Sequence, residues 1–308
     1  MSRQQAVSAA ARIATEPLSG ALGARVTGVD LSRPLDAETW SVVERAYLER
    51  HVVALPAQSL TPPQLIAASL RFGPLEPHVL SQYHHREHPE ILMLSNVVED
   101  GQPLGLADAG TYWHSDVSYK ARPSRATLLY AIEVPDEGGD TLFVNMTRAY
   151  ADLPPRTRQR LEGLKAVHNY EYRHSQLVRE VGIRAALTEE QRRATPDVVH
   201  PVVRAHPVTG RKALFINPGF TVRILGMPER ESEALKQELF DHCLQDAYRL
   251  RYRWTVGDVL VWDNASVMHA ATSRDLPASK RRTLWRTIIS GDEPFETAPA
   301  VSHGVGRP

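Results

Sequence analysis

The chain has 308 residues, 42% of them hydrophobic, and its 36 lysines and arginines balance 36 aspartates and glutamates. That size and composition can bury a sizeable core, while the balanced charge offers no bulk attraction to nucleic acid or to an anionic membrane surface. A single cysteine, Cys243, excludes an internal disulfide and any multi-cysteine zinc site, and a small apolar role within a helix suits it.

In chain order, residues 1–16 are polar and alanine-rich without the apolar core of a signal peptide, and no stretch is apolar for long enough to cross a bilayer. A flexible tail over 1–16 and a cytoplasmic location are therefore expected. Residues 22–31 alternate loosely and predict a strand; 36–51 predict a helix that presents Trp40, Val43, Ala46 and Tyr47 on one face. The apolar run Val52–Leu55 predicts another strand. Thr61 before Pro62 and Pro63 reads as an N-cap, and the helix it opens runs to Phe72, where Gly73 stops it.

From residue 91 short strands dominate: 91–94, Ala126–Glu133, Thr141–Asn145, 198–203, 213–216, 248–254, 259–262 and Thr283–Ile289. Many short strands separated by turns predict an antiparallel barrel or double-sheet jelly roll. Within 248–254, Tyr248, Leu250, Tyr252 and Trp254 alternate with Arg249, Arg251 and Arg253, the pattern of a strand with one wet face and solvated arginines. Residues 231–246 place Ala234, Leu235, Leu239 and Cys243 at helical spacing. The glycine-containing loop 101–110 and the charged, mostly helical or irregular stretch 148–193 are candidates to cover an active site.

The chemistry-bearing motif is Tyr112-Trp113-His114-Ser115-Asp116. If 113–117 is extended, a period of two puts His114 and Asp116 on one face with Ser115 turned away. His269, downstream of Trp262-Asp263-Asn264, supplies a second imidazole from a later strand. Two histidines and one carboxylate leave coordination positions open, the arrangement of non-heme Fe(II) oxygenases.

Around these residues the chain resembles the taurine dioxygenase and 2,4-dichlorophenoxyacetate dioxygenase (TauD/TfdA) family. The resemblance runs through residues 20–31, Arg71-Phe72-Gly73-Pro74-Leu75, Trp113 to Tyr119, Gly138-Gly139-Asp140-Thr141-Leu142-Phe143, Trp262-Asp263-Asn264 and Arg281-Arg282-Thr283-Leu284-Trp285-Arg286. It implies a mainly β fold with flanking helices, a double-stranded β-helix (jelly-roll) core, in one dioxygenase domain over 17–295 with a flexible C-terminal tail at 296–308. It further implies Fe(II) on His114, Asp116 and His269, with 2-oxoglutarate held through its distal carboxylate by Thr141 and Arg282. O2 is then the second cosubstrate, and succinate and CO2 are the co-products. A guanidinium suits a carboxylate because it is planar, bidentate and permanently charged.

Arg286 lies four residues beyond Arg282 and shares its face on a strand; the resemblance gives it the anion of a small substrate, with His78, Val117 and Phe220 also around that substrate. Tyr112, Tyr119 and Trp285 are further candidates to line the pocket. Gly110 and Ser81 stand where the taurine enzymes carry an amide and a tyrosine, which argues against taurine and for a sulfonate, sulfate ester, aryloxyalkanoate or carboxylate. A homo-oligomer, dimer or tetramer, is implied by resemblance alone. A non-oxidative jelly roll, either a cupin-like isomerase or a 2-oxoglutarate sensor, is the competing class; Thr141 and Arg282 weigh against the isomerase. His84, His85, His168, His174, His200, His206, His242 and His303 are expected at the surface or in caps.

Overall fold

The computed structural model describes residues 12–181 and 186–296; His303 and the tail expectations for 1–11 and 297–308 lie outside the described residues. Two antiparallel sheets face each other. The larger has seven strands in the order Ala14–Pro17, Ala24–Thr27, Val52–Leu55, Val259–Asp263, Ala126–Glu133, Thr283–Ile289 and Leu92–Ser95, and the smaller runs Arg249–Tyr252, Thr141–Asn145, Val267–Ala271. The one parallel pairing in the large sheet joins Ala24–Thr27 to Val52–Leu55.

Strand alternation divides the side chains into layers. Leu129, Leu260, Trp262 and Leu284 of the large sheet meet Phe143, Leu250, Tyr252 and Val267 of the small one in the space between them. The residues between these, Leu128, Tyr130, Val259 and Val261, pack outward on Val43, Tyr47, Leu65 and Ala68 of the two N-terminal helices. On the far side, Val144 and Met268 of the small sheet pack on Leu235, Leu239 and Cys243 of the helix Glu229–Cys243. This is the mainly β jelly-roll core with flanking helices that the strand pattern predicts. Burial lifts the Cys243 thiol to about 12, in keeping with a packing role. No helix among the described residues is long and apolar enough to cross a membrane.

Helix ends follow their capping residues. Asp36 accepts from Thr39 N at 2.7 Å ahead of Ala37–Arg50, and Thr61 N donates to Gln64 Oε1 at 2.8 Å at the start of Pro62–Leu70. Several expectations need correction. The tail expected through Glu16 ends earlier, because Ala14–Pro17 pairs with Ala24–Thr27 along the sheet edge. The strand expected over 22–31 is confined to Ala24–Thr27, since Gly28 turns the chain at φ +80°. Residues 198–203 divide into Val198–Pro201 and Val203–Ala205, which pair in different sheets.

Arg251 is not simply solvated: its Nε meets the buried Asp140 Oδ2 at 2.5 Å. His168, His200 and His206 are buried rather than superficial. His168 stacks on Phe215, and burial pushes its pKa down to about 3, while His206 Nδ1 accepts from Val208 N and Thr209 N and its Nε2 faces Asp263 Oδ2 at 3.1 Å.

Because Leu260 is fully buried between the sheets and Val256 is 57% exposed, Leu260→Ala should destabilise by about 2–5 kcal/mol. Val256→Ala should stay within about 0.5 kcal/mol. Urea unfolding midpoints at constant slope distinguish the two.

Candidate active site

Strand register carries two of the expected residues inward. His269 pairs with Phe143 and Thr141 with Ala271, so both side chains share the face of the small sheet that looks at the large one. His114 arrives differently. Its N–H donates to His269 O at 2.9 Å and His269 N–H returns to His114 O at 2.8 Å, an isolated antiparallel bridge.

The extended 113–117 expected from alternation is not formed. After His114 the chain turns, with Ser118 N bonded to Ser115 O and Lys120 N to Val117 O. Asp116 therefore reaches the histidines from a turn, not from the next position on a strand face. Val117 adopts φ +58°, a conformation in which a β-branched residue is strained.

His114 Nε2 lies 3.5 Å from Asp116 Oδ1 and His269 Nε2 lies 3.6 Å from Asp116 Oδ2, all three residues buried. One ligand atom from each lies within 4.8 Å of the others. His114 Nδ1 sits 2.8 Å from Tyr112 O. A carbonyl only accepts, so Nδ1 carries the hydrogen and Nε2 keeps the lone pair a metal needs. His269 is oriented by packing, between Trp262 at 4.7 Å and Phe143 at 5.9 Å between ring centroids.

Burial and the adjacent His114 hold the His269 pKa well below the ordinary histidine value, leaving it neutral. Burial alone would raise the Asp116 pKa, but the charge of Arg286, followed by the two histidines, holds the carboxyl well below its usual range. Two imidazoles and an ionised carboxylate form a donor set suited to a divalent cation, so the residues fit a metal ion.

The triad stands between two cavities that share Ala109, Gly110, His114 and Arg286; at Gly110 φ is +64° and a Cβ would lie 2.8 Å from His114 Cε1. The inner cavity is lined by Thr141, Arg282, Trp262, Leu94 and Leu129 beside His114 and His269. Arg282 is buried, its Nε donates to Gly139 O at 2.9 Å, and burial lowers its pKa to about 10. Gly139 is required there, since a Cβ would lie 2.8 Å from Arg282 Cδ.

The outer cavity gathers His78, Val117, Phe220 and Arg286 with Tyr112, Tyr119 and Tyr170. Arg286 Nη2 lies 2.8 Å from Asp116 Oδ1, and its Nε is buried without a hydrogen-bond partner. Leu106 and Ala109 come from the loop 101–110 and Tyr170 opens the helix Tyr170–Val181, so both expected covering segments contribute. Trp285 stays outside the cavity, edge-on to Tyr130 and His85. Leu80 lines the wall in place of Ser81.

Sequence reasoning missed Trp254, Thr127 and Asn264, whose side chains hold the site residues from behind. Trp254 Nε1 donates to Thr141 Oγ1 at 3.0 Å. The available signal was polarity out of place: Thr127 is fully buried in the otherwise apolar start of Ala126–Glu133.

A jelly roll that presents two histidines and one carboxylate with open positions is the frame of a non-heme Fe(II) oxygenase. The model of the family described as "Taurine catabolism dioxygenase TauD, TfdA family" matches residues 14–288. The alpha-ketoglutarate-dependent 2,4-dichlorophenoxyacetate dioxygenase of Cupriavidus pinatubonensis is 35% identical over 291 residues, 91% of this chain and 98% of that protein. Pentalenolactone F synthase of Streptomyces arenae is 34% identical over 281 residues, 88% of this chain and 91% of the relative. The crystal structure of a taurine dioxygenase from Burkholderia xenovorans is similar with a TM-score of 0.76 at 32% identity, covering 92% of each chain. The chain belongs to the TauD/TfdA family of 2-oxoglutarate-dependent non-heme iron dioxygenases.

Replacing His269 by alanine removes one of three ligand atoms, and stoichiometric Mn(II) binding to the metal-free protein should be lost in a calorimetric titration, whereas His242→Ala should bind as the wild type does.

Proposed function

We propose that the protein hydroxylates a small organic anion with an apolar body, consuming 2-oxoglutarate and O2 and releasing succinate and CO2. The observation that carries this is Arg286: a guanidinium whose side chain is only 11% exposed and whose Nε is buried without a partner, at the base of a cavity walled by Tyr112, Tyr119, Tyr170 and Phe220. A buried cation without full partners is costly, and an anionic substrate group relieves that cost. The rings supply broad apolar faces for the rest of the molecule. Among the described residues lining this cavity the sole carboxylate is Asp116, which leaves no acidic partner for a substrate ammonium and speaks against taurine and amino acids. The relative named for 2,4-dichlorophenoxyacetate acts on an aryloxy acid, a molecule of the chemistry these walls suit.

His78 assists as a neutral donor. Its Nδ1 accepts from Leu80 N at 3.2 Å, so its hydrogen sits on Nε2. Burial, reinforced by Arg286, pushes its pKa down to about 3, which keeps the ring uncharged across the physiological range. In the inner cavity Arg282 and Thr141 hold the distal carboxylate of 2-oxoglutarate. With Nε given to Gly139 O, Arg282 keeps its two terminal amino groups for a bidentate grip. Thr141, already accepting from Trp254, turns its own hydrogen toward the same carboxylate.

His114, Asp116 and His269 hold Fe(II), which supplies O2 activation and, with 2-oxoglutarate, the oxidising equivalents for C–H hydroxylation. The protein's part is to fix both anions and exclude water behind the aromatic wall. Where the hydroxylated carbon also bears oxygen or sulfur, the product collapses and that bond breaks.

Succinate formation from 2-oxoglutarate under air, with Fe(II) and ascorbate, tests the assignment across aryloxyalkanoates, alkyl sulfates, alkylsulfonates and taurine. Stimulation by a member lacking an amine is expected; stimulation by neutral or cationic compounds alone, or no succinate with any, would overturn it. Arg282→Ala should weaken 2-oxoglutarate binding by about 2–5 kcal/mol and Arg286→Ala should weaken the substrate by a similar amount. Separate KM determinations for the two ligands show whether the arginines divide the work in this way.

A further inference from the structure

We propose that Thr127 and Asn264, which touch neither cavity, are positioning residues that set the orientation of the Asp116 carboxylate; the inference rests on Asp116 being a metal ligand. Asn264 makes four hydrogen bonds. Its Oδ1 accepts from Trp262 Nε1 at 3.1 Å and from Asp116 N at 3.2 Å, and its Nδ2 donates to Ser124 Oγ at 3.2 Å and to Thr127 Oγ1 at 3.0 Å. The indole N–H can only donate, so the atom facing it must be the amide oxygen, and the amide has one possible orientation.

Proton counting fixes the next link. Thr127 Oγ1 accepts from the amide, and its own hydrogen goes to Asp116 Oδ2, 2.7 Å away, an oxygen that can only accept. A one-way chain of donors therefore runs from Asn264 through Thr127 to the carboxylate. Thr127 is 0% and Asn264 1% exposed, so water cannot substitute for either link. The two carboxylate oxygens become inequivalent, Oδ2 tied to the wall by a neutral donor and Oδ1 facing Arg286 and the cavity.

The same amide grips the backbone of Asp116 next to the strained Val117. Five residues before His269, in the turn between Val259–Asp263 and Val267–Ala271, it ties the turn that carries one ligand to the segment that leads into the strand carrying another. Residues that hydrogen-bond a ligating carboxylate commonly govern metal affinity as strongly as geometry does. Neither Thr127 nor Asn264 lines the inner or the outer cavity; the Thr127 hydroxyl meets the site at Asp116, whereas Asn264 also holds Trp262, which packs on His269, so Thr127 is the cleaner position to test.

The test is Mn(II) titration of the metal-free protein by calorimetry, with thermal unfolding of the same samples. Thr127→Val keeps the side-chain volume and deletes the donor; it should weaken Mn(II) binding about 10- to 100-fold while the melting temperature of the metal-free protein changes little. Thr127→Ser, which retains the hydroxyl, should restore most of the affinity. Wild-type affinity in Thr127→Val would overturn the proposal, as would a loss in Thr127→Ser equal to that in Thr127→Val. Should Thr127→Val fail to fold, Thr127→Ala is read against Thr127→Ser in the same way. His269→Ala separates the two levels: if it binds Mn(II) like the wild type, the ligand assignment has failed and not the positioning.

Discussion

Two backbone hydrogen bonds between His114 and His269 fix the geometry on which the rest of the site depends. They hold the imidazole centroids 4.2 Å apart and anchor a segment with no ladder of its own to the edge strand Val267–Ala271 of the small sheet. A slip of one residue on the His269 strand would turn its ring out to the helix layer where Met268 packs. Everything nearer the cavity, from the Asp116 turn to the reach of Arg286, is referenced to that bridge.

Charge is distributed around it with little slack. Arg282, Arg286 and Asp116 are all largely withdrawn from water; Asp116 faces Arg286, and the buried Asp140 near Arg282 is shared with Arg251, so three guanidiniums stand against two carboxylates. The surplus is positive and lies in the cavities. Such a site suits anions, and the charge of a bound anion would offset part of the cost of burying the arginines. Burial is the main reason that His78 and His269 stay neutral, and the same positive field reinforces it.

How much was legible in the sequence depended on whether the signal was local. Ala126–Glu133, Thr141–Asn145 and Thr283–Ile289 stood out because β-branched and aromatic residues alternate within them. The strand Val267–Ala271, which carries His269, did not, since Met, His and two alanines have weak strand preference and its pairing with Thr141–Asn145 is a tertiary effect. The nearness of His114 and Asp116 was anticipated for a reason that does not hold: alternation suggested an extended segment, whereas a turn with a strained Val117 makes it. The support given by Asn264 to Asp116 spans 148 positions, and local spacing cannot register a bond of that range. Arg251 was likewise unreadable as a partner, because Asp140 comes from a neighbouring segment 111 positions away.

Arg282 and Arg286 flank and occupy one strand whose partners on both sides are ordered. Four residues of extended chain span about 13 Å, and neither neighbour allows that spacing to stretch. If Arg282 and Arg286 hold the keto acid and the substrate's anion as proposed, the strand is the ruler that sets the distance between them. Loops 101–110 and the helix Tyr170–Val181 can change the width and shape of the molecule admitted. They cannot move the carbon that is attacked relative to the anion, so relatives that diverge only in those covers would accept different bodies while oxidising at a constant distance from the charged end.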